Sequence, residues 1–146
     1  MHRTITTDIS APISTVVKIV SELETYDSWL DIVERVEPAN PDAHDEGPAY
    51  LVTMRAKVGP LARSKRLRMV RVNADESGAR FERREIDGRD HAEWILNANV
   101  TGDATASSVT MDLRYEGGLW SAPLDAILGS HIDGAAARLD EFARSR

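Results

Sequence analysis

The chain has 146 residues, 42% hydrophobic and 29% charged, with a net charge of −6 and no cysteine. That length suits a single domain, residues 1–146, and the missing cysteine excludes disulfides, thiol nucleophiles and thiolate metal sites. Met1 to Thr7 lacks the apolar core of an export signal and no segment reaches the ~20 apolar residues of a membrane span, so a cytoplasmic protein is expected.

Ile5, Thr7 and Ile9 alternate with Thr6 and Asp8, which predicts a first strand. Ser10-Ala11-Pro12 then breaks the pattern: Pro12 suits the first turn of a helix, and Ser10 is a candidate cap. That helix is expected to reach about Leu23, with Ile13, Val16, Val17, Val20 and Leu23 on one side. Glu24 to Leu30 predicts a second short helix carrying Tyr26 and Trp29, and Ile32, Val33 and Val36 open a second strand. Pro38 to Pro48 holds three prolines, a glycine and no apolar period, and reads as an acidic loop.

Alternating strands follow in series. They are carried by Tyr50, Val52, Met54, Ala56 and Val58; by Leu67 and Met69 or Val70 and Val72; by Phe81 to Ile86; by Trp94, Leu96, Ala98 and Val100; and by Val109, Met111, Leu113 and Tyr115. Gly59-Pro60, Asp75 to Gly78, Asp87-Gly88 and Gly102-Asp103 separate them at hairpin distances, which joins antiparallel neighbours. Leu124, Leu128, His131, Ile132, Ala135, Leu139 and Phe142 then recur every three or four residues, predicting a helix from about Ala122 to Ala143, roughly 30 Å long. Strand, two short helices, six strands and a long helix describe an α+β domain with an antiparallel sheet curved around its last helix. Strand alternation decides what lines the space between them, and the set Val109, Met111, Leu113 and Tyr115 must face the helix.

The strand Phe81-Glu82-Arg83-Arg84-Glu85-Ile86 is unusual, because either face carries one Arg and one Glu. If it is regular, a charge pair points into an otherwise apolar space; otherwise the sheet curls away there and both faces are wet. It belongs to a segment, Arg63 to Arg89, with nine basic and five acidic residues, which leaves −10 on the rest of the chain. The segment reads as the solvated face of two strands, or as a docking surface for an acidic protein or an anionic membrane. Phe81 is its only aromatic, so nucleic-acid binding is not expected.

The four histidines, His2, His44, His91 and His131, have no ligand spacing, so no metal site is expected, and no cofactor motif is present. There is no GxSxG elbow or Gly-rich phosphate loop; Gly117-Gly118 reads as the lead into the last helix.

In Ile9-Ser10-Ala11-Pro12-Ile13-Ser14-Thr15-Val16, Tyr26-Asp27-Ser28-Trp29-Leu30, and Trp94-Ile95-Leu96 leading through Gly102 to Val109-Thr110-Met111, the chain resembles the START-like superfamily. That superfamily includes polyketide cyclases and dehydrases, lipid-transfer domains and plant pathogenesis-related allergens. The resemblance implies a helix-grip fold, in which a seven-stranded antiparallel sheet grips a C-terminal helix around a hydrophobic cavity. Two further stretches are Ala56-Lys57-Val58-Gly59-Pro60-Leu61 and Leu128-Gly129-Ser130-His131-Ile132-Asp133-Gly134-Ala135-Ala136-Ala137. They are similar to the carbon monoxide dehydrogenase accessory branch of the superfamily, whose members are membrane-associated or quinone-binding proteins. Around Trp29 the chain departs from that branch.

The expected ligand is a hydrophobic small molecule: a lipid, isoprenoid, quinone or polyketide-like compound. Its candidate contacts are Trp29, Tyr50, Met54, Trp94, Met111, Tyr115, Leu124, Leu128, His131, Ile132 and Ala135. The alternative is a cyclase or dehydratase in which His131 moves a proton, Arg83 or Arg84 stabilises an enolate and Glu85 completes the pair.

Overall fold

The computed structural model describes residues 2–58, 60–116 and 122–146, and within these all side chains except those of 58, 61, 122–129, 132 and 133. Three short pieces open the chain: strand β1 (His2–Ile9), helix α1 (Ile13–Ser21) and a 3₁₀ helix (Leu23–Ser28). Six strands follow, β2 (Val33–Pro38), β3 (Ala49–Val58), β4 (Leu61–Asp75), β5 (Gly78–Arg83), β6 (Trp94–Gly102) and β7 (Ser107–Tyr115), and then helix α2 (Ala122–Arg144).

Strands β2 to β7 pair antiparallel in succession, as short links dictate, and β1 joins the far edge beside β7. The sheet order is therefore β1-β7-β6-β5-β4-β3-β2. Four strands separate β1 from β3, yet both pack against α2, so the sheet curls strongly enough to bring its two ends to one helix. The architecture is the α+β domain expected from the element order and the helix grip that the resemblance implies. No helix among the described residues is long and apolar enough to cross a membrane.

The core lies between the concave face and α2. Ala135, Leu139 and Ala143, each 1% exposed, form the buried stripe of α2 and meet Ile9, Val100 and Val109 in one apolar cluster. Hydrogen bonds fix the β1 to α1 link: Ile13 N–H donates to Asp103 O (2.9 Å) and Ser107 Oγ to Ala11 O (2.6 Å). Gly78 makes the β4–β5 turn at φ +151°, where a Cβ would lie 1.9 Å from Ala98 O, so no other residue fits.

Three local expectations change and one alternative is decided. Ser10 does not cap α1: Pro12 occupies that position without a side-chain bond, and the Ser10 N–H instead donates to Asp140 Oδ1 at 2.9 Å. The second helix is a 3₁₀ turn ending at Ser28, short of Leu30. The strand expected at Phe81 to Ile86 stops at Arg83, and residues 84–93 form a longer link than an Asp87-Gly88 hairpin turn. Finally, of the two alternatives for β4 the Leu67 and Met69 set is the one on the concave face, and Val70 and Val72 are not in the core cluster. Leu67 and Met69 face in, while Arg68 and Val70, on the outer side, are also buried.

Candidate functional site

Strand alternation puts every second side chain on the concave face, and there those side chains enclose a cavity of about 80 Å³. Its wall draws on Ile5 of β1, Val33 of β2, Val52 and Met54 of β3, Leu67 and Met69 of β4, Trp94 and Leu96 of β6, and Met111 and Leu113 of β7. The 3₁₀ helix and the turn after it close one side with Leu23, Tyr26, Trp29, Leu30 and Ile32, and Ala135 of α2 lies across the opening of the sheet. The only charged residue in the described wall is Arg3, on β1 opposite Leu113.

One end of this space abuts a cluster of tilted and edge-on rings. Tyr26 and Trp29 lie 4.4 Å apart, centroid to centroid, and Phe81 meets Tyr26 edge-on at 6.2 Å and Tyr50 at 6.5 Å. Tyr26 is wholly buried; its hydroxyl donates to Val20 O (2.7 Å), and burial pushes its pKa far upward, so the phenol stays neutral. Arg71, inward like Met69 but beyond the rings, caps the end of α1 by donating from Nη1 to Ser21 O (2.8 Å).

Beyond Met69 and Trp94, outside the wall, the lining turns polar. Arg83 and Glu85 hold the inward side of β5 and its continuation, with Nε and Oε2 3.4 Å apart and side chains 8% and 17% exposed. Arg84 faces out and pairs with Glu46 and Glu82. The inward charge pair anticipated from the sequence is therefore present, but the strand ends at Arg83, so both sequence alternatives hold in part. Beyond it, the Arg89 N–H and His91 Nε2 both bind the Asp87 carboxylate and hold its pKa down at about 2.

Of the expected contacts, Trp29, Met54, Trp94, Met111 and Ala135 stand in the wall. Tyr50 and Tyr115 are buried beside it: Tyr50 packs on Phe81, and Tyr115 stacks on Trp94 at 4.6 Å and 18°. His131 lies one helical turn before Ala135 and is half-buried, outside the described wall. The side chains of Leu124, Leu128 and Ile132 lie outside the described residues. His131 is thus not brought together with the Arg83–Glu85 pair by any described contact, and no cluster of metal-ligating side chains exists among the described residues.

Sequence reasoning misses two arginines. Arg3 escapes because the apolar alternation begins at Ile5; extending it back by two residues finds it. Arg68 falls in a segment that reads as a solvated basic surface, but it is 3% exposed. The acidic loop folds over the outside of β4, and Arg68 donates to both Asp45 oxygens (3.0 and 2.6 Å), to Asn40 O and to Arg84 O (2.9 Å each). That pairing holds the Asp45 carboxyl below its usual range despite burial. With Arg68, Arg71 and Arg83 turned to internal partners, the segment from Arg63 to Arg89 is not one continuous basic surface.

No family model matches the chain, and no curated protein matches it. Solved structures do. A START superfamily protein from Mycobacterium smegmatis is 13% identical, with a TM-score of 0.69 over 99% of this chain and 97% of that one. The ZhuI aromatase/cyclase from Streptomyces sp. R1128 is 15% identical, with a TM-score of 0.64 over 100% and 94%. Ara h 8.0201 is 9% identical, with a TM-score of 0.64 over 100% and 99%. At such identities the likeness is one of fold, and the fold is START-like over the whole chain.

Proposed function

We propose that this START-like chain binds a hydrophobic small molecule between the concave sheet face and α2. The observation that carries the reading is the wall itself: β1 to β4, β6, β7, the 3₁₀ segment and α2 all contribute, and every described residue of it but Arg3 is apolar or an aromatic. Leaving such a space unfilled forfeits dispersion contacts along its lining, which a ligand restores. The likeness to an aromatase/cyclase and a START superfamily protein supports the same use of the fold.

At about 80 Å³ the space holds a small group as it stands. Ligand sites for larger molecules run from about 300 Å³ upward. Met54, Met69 and Met111 all line it, and unbranched methionines change rotamer at little cost, so the wall can widen around a chain or ring.

Native mass spectrometry of the purified protein, with solvent extraction of whatever is released, tests this reading. A near-stoichiometric apolar compound is the expected result. A protein that carries nothing and gains no thermal stability from 1-octanol, octanoate or a short-chain quinone overturns it.

A further inference from the structure

Arg83 stands in the partition between two spaces. Its inner-face neighbours are Met69 on β4, by the observed register, and Trp94 on β6, one step beyond the Glu82 to Ile95 pair. Both neighbours line the apolar cavity. Arg83 itself lines a polar cleft of about 300 Å³ beneath residues 84–93. The cleft also carries Arg84, Arg89 and His91 against Glu85, Asp90 and Glu93.

The donors at this partition are incompletely used. Arg83 Nη1 donates to Ala92 O at 3.2 Å, but its buried Nε makes no hydrogen bond among the described residues, although Glu85 Oε2 is 3.4 Å away. Trp94, 3% exposed, has a buried Nε1 with no acceptor among the described residues. Cross-strand neighbours on one face have Cβ atoms about 5 Å apart, so Arg83 and Trp94 are neighbours, and each carries a buried N–H whose lack of an acceptor among the described residues is unfavourable. Glu85 is divided between Arg83 and the rest of the fold, because its Oε1 accepts from the Arg68 N–H at 2.9 Å. Lys65, two residues before Leu67 on the inward side of β4, feels Arg83: burial first, then repulsion from that guanidinium, pulls its pKa down. At this point Lys65 and Arg83 stand against Glu85, two cations to one carboxylate, while the cleft lining as a whole is balanced, Arg83, Arg84 and Arg89 against Glu85, Asp90 and Glu93.

We infer that the ligand is an amphiphile with an oxyanionic head, in its simplest form a carboxylate, held by Arg83 and the Trp94 N–H while its apolar tail occupies the cavity. This rests on the cavity reading above. The head enters from the cleft side under residues 84–93, and the tail passes between Met69 and Trp94.

The test compares octanoate with 1-octanol by isothermal titration calorimetry at neutral pH. The two have the same chain length but different heads. Octanoate is expected to bind roughly ten-fold or more tighter, the scale of a charge-assisted hydrogen bond. Arg83→Met should bring the two within about three-fold by weakening octanoate alone. If that variant does not fold, Trp94→Phe keeps a ring in the wall and removes only the donor, and it should weaken octanoate while sparing 1-octanol. Equal affinities in the wild type, or a preference that survives in the variants, overturn the head-group assignment and leave the cavity reading standing. Binding of neither probe overturns the head-group assignment, and overturns the cavity reading too if the protein carries nothing and gains no stability from a short-chain quinone.

Discussion

Asp45 and Arg68 form a two-pronged ion pair on the outside of the sheet, Nη1 to Oδ1 at 3.0 Å and Nη2 to Oδ2 at 2.6 Å, with side chains 7% and 4% exposed. A pair so enclosed is asymmetric in its energetics: intact it contributes little beyond two apolar residues, but losing one partner strands the other charge. Asp45→Ala is therefore expected to destabilise by about 3–5 kcal/mol, and the Asp45→Leu, Arg68→Met double variant by much less. Urea unfolding of the three proteins measures both; equal losses in the single and double variants would show that the loop is held by something else.

The same pair gives stability a pH dependence. The folded Asp45 pKa lies below its ordinary value of 3.8, chiefly through the Arg68 hydrogen bond. Its contribution is complete above 3.8 and is lost as pH falls through the lower folded value, because the unfolded chain takes up the proton first. The stability gap between wild type and Asp45→Asn should accordingly narrow below that pH in acid unfolding. A gap that widens in acid contradicts the assignment.

Tyr26→Phe should cost roughly 1–3 kcal/mol, since it removes the hydroxyl that satisfies Val20 O near the end of α1 in a dry interior. Thermal denaturation gives the value. A change near zero would mean that Val20 O finds another donor.

Ala135→Leu places a larger side chain in the cavity from α2, the one described helix position in the wall that carries a methyl alone. Affinity for 1-octanol should fall roughly ten-fold, with stability changed by about 1–3 kcal/mol at most. Undiminished binding would place the ligand elsewhere.

His131→Ala separates binding from catalysis. A carrier should retain its apolar ligand, because His131 stands outside the described wall; an enzyme that moves a proton with this imidazole would lose turnover on cyclic ketone or polyketide substrates. Ligand release on this substitution would contradict the carrier reading.

The arrangement of elements is readable because the strands obey a period of two and most links between them are short, so order in the chain nearly dictates order in the sheet. Trp94, Met54 and Met111 fall on the concave side by the same alternation. Tyr50 and Tyr115 obey it too, but which inward residues reach a void and which pack against one another depends on ring contacts, edge-on with Phe81 and stacked with Trp94, and those are set across strands. Arg68 is the clearer failure. Its burial comes from a loop 23 residues upstream, and nothing in the neighbourhood of Arg68 signals that Asp45 will cover it. Arg3 is within reach, since only the charged side chain itself interrupts the apolar period.

The C-terminal helix is moored near its end: Ser10 N–H binds Asp140, and Arg138 pairs with Asp31. Under mechanical tension applied at Arg146, those moorings carry the load before the Ala135 contact with the cavity does. A chain pulled from that end would peel α2 back toward Ala135, whose side chain stands in the cavity wall. A handle or surface tether is therefore better attached elsewhere than at Arg146, where load would reach the cavity wall through α2.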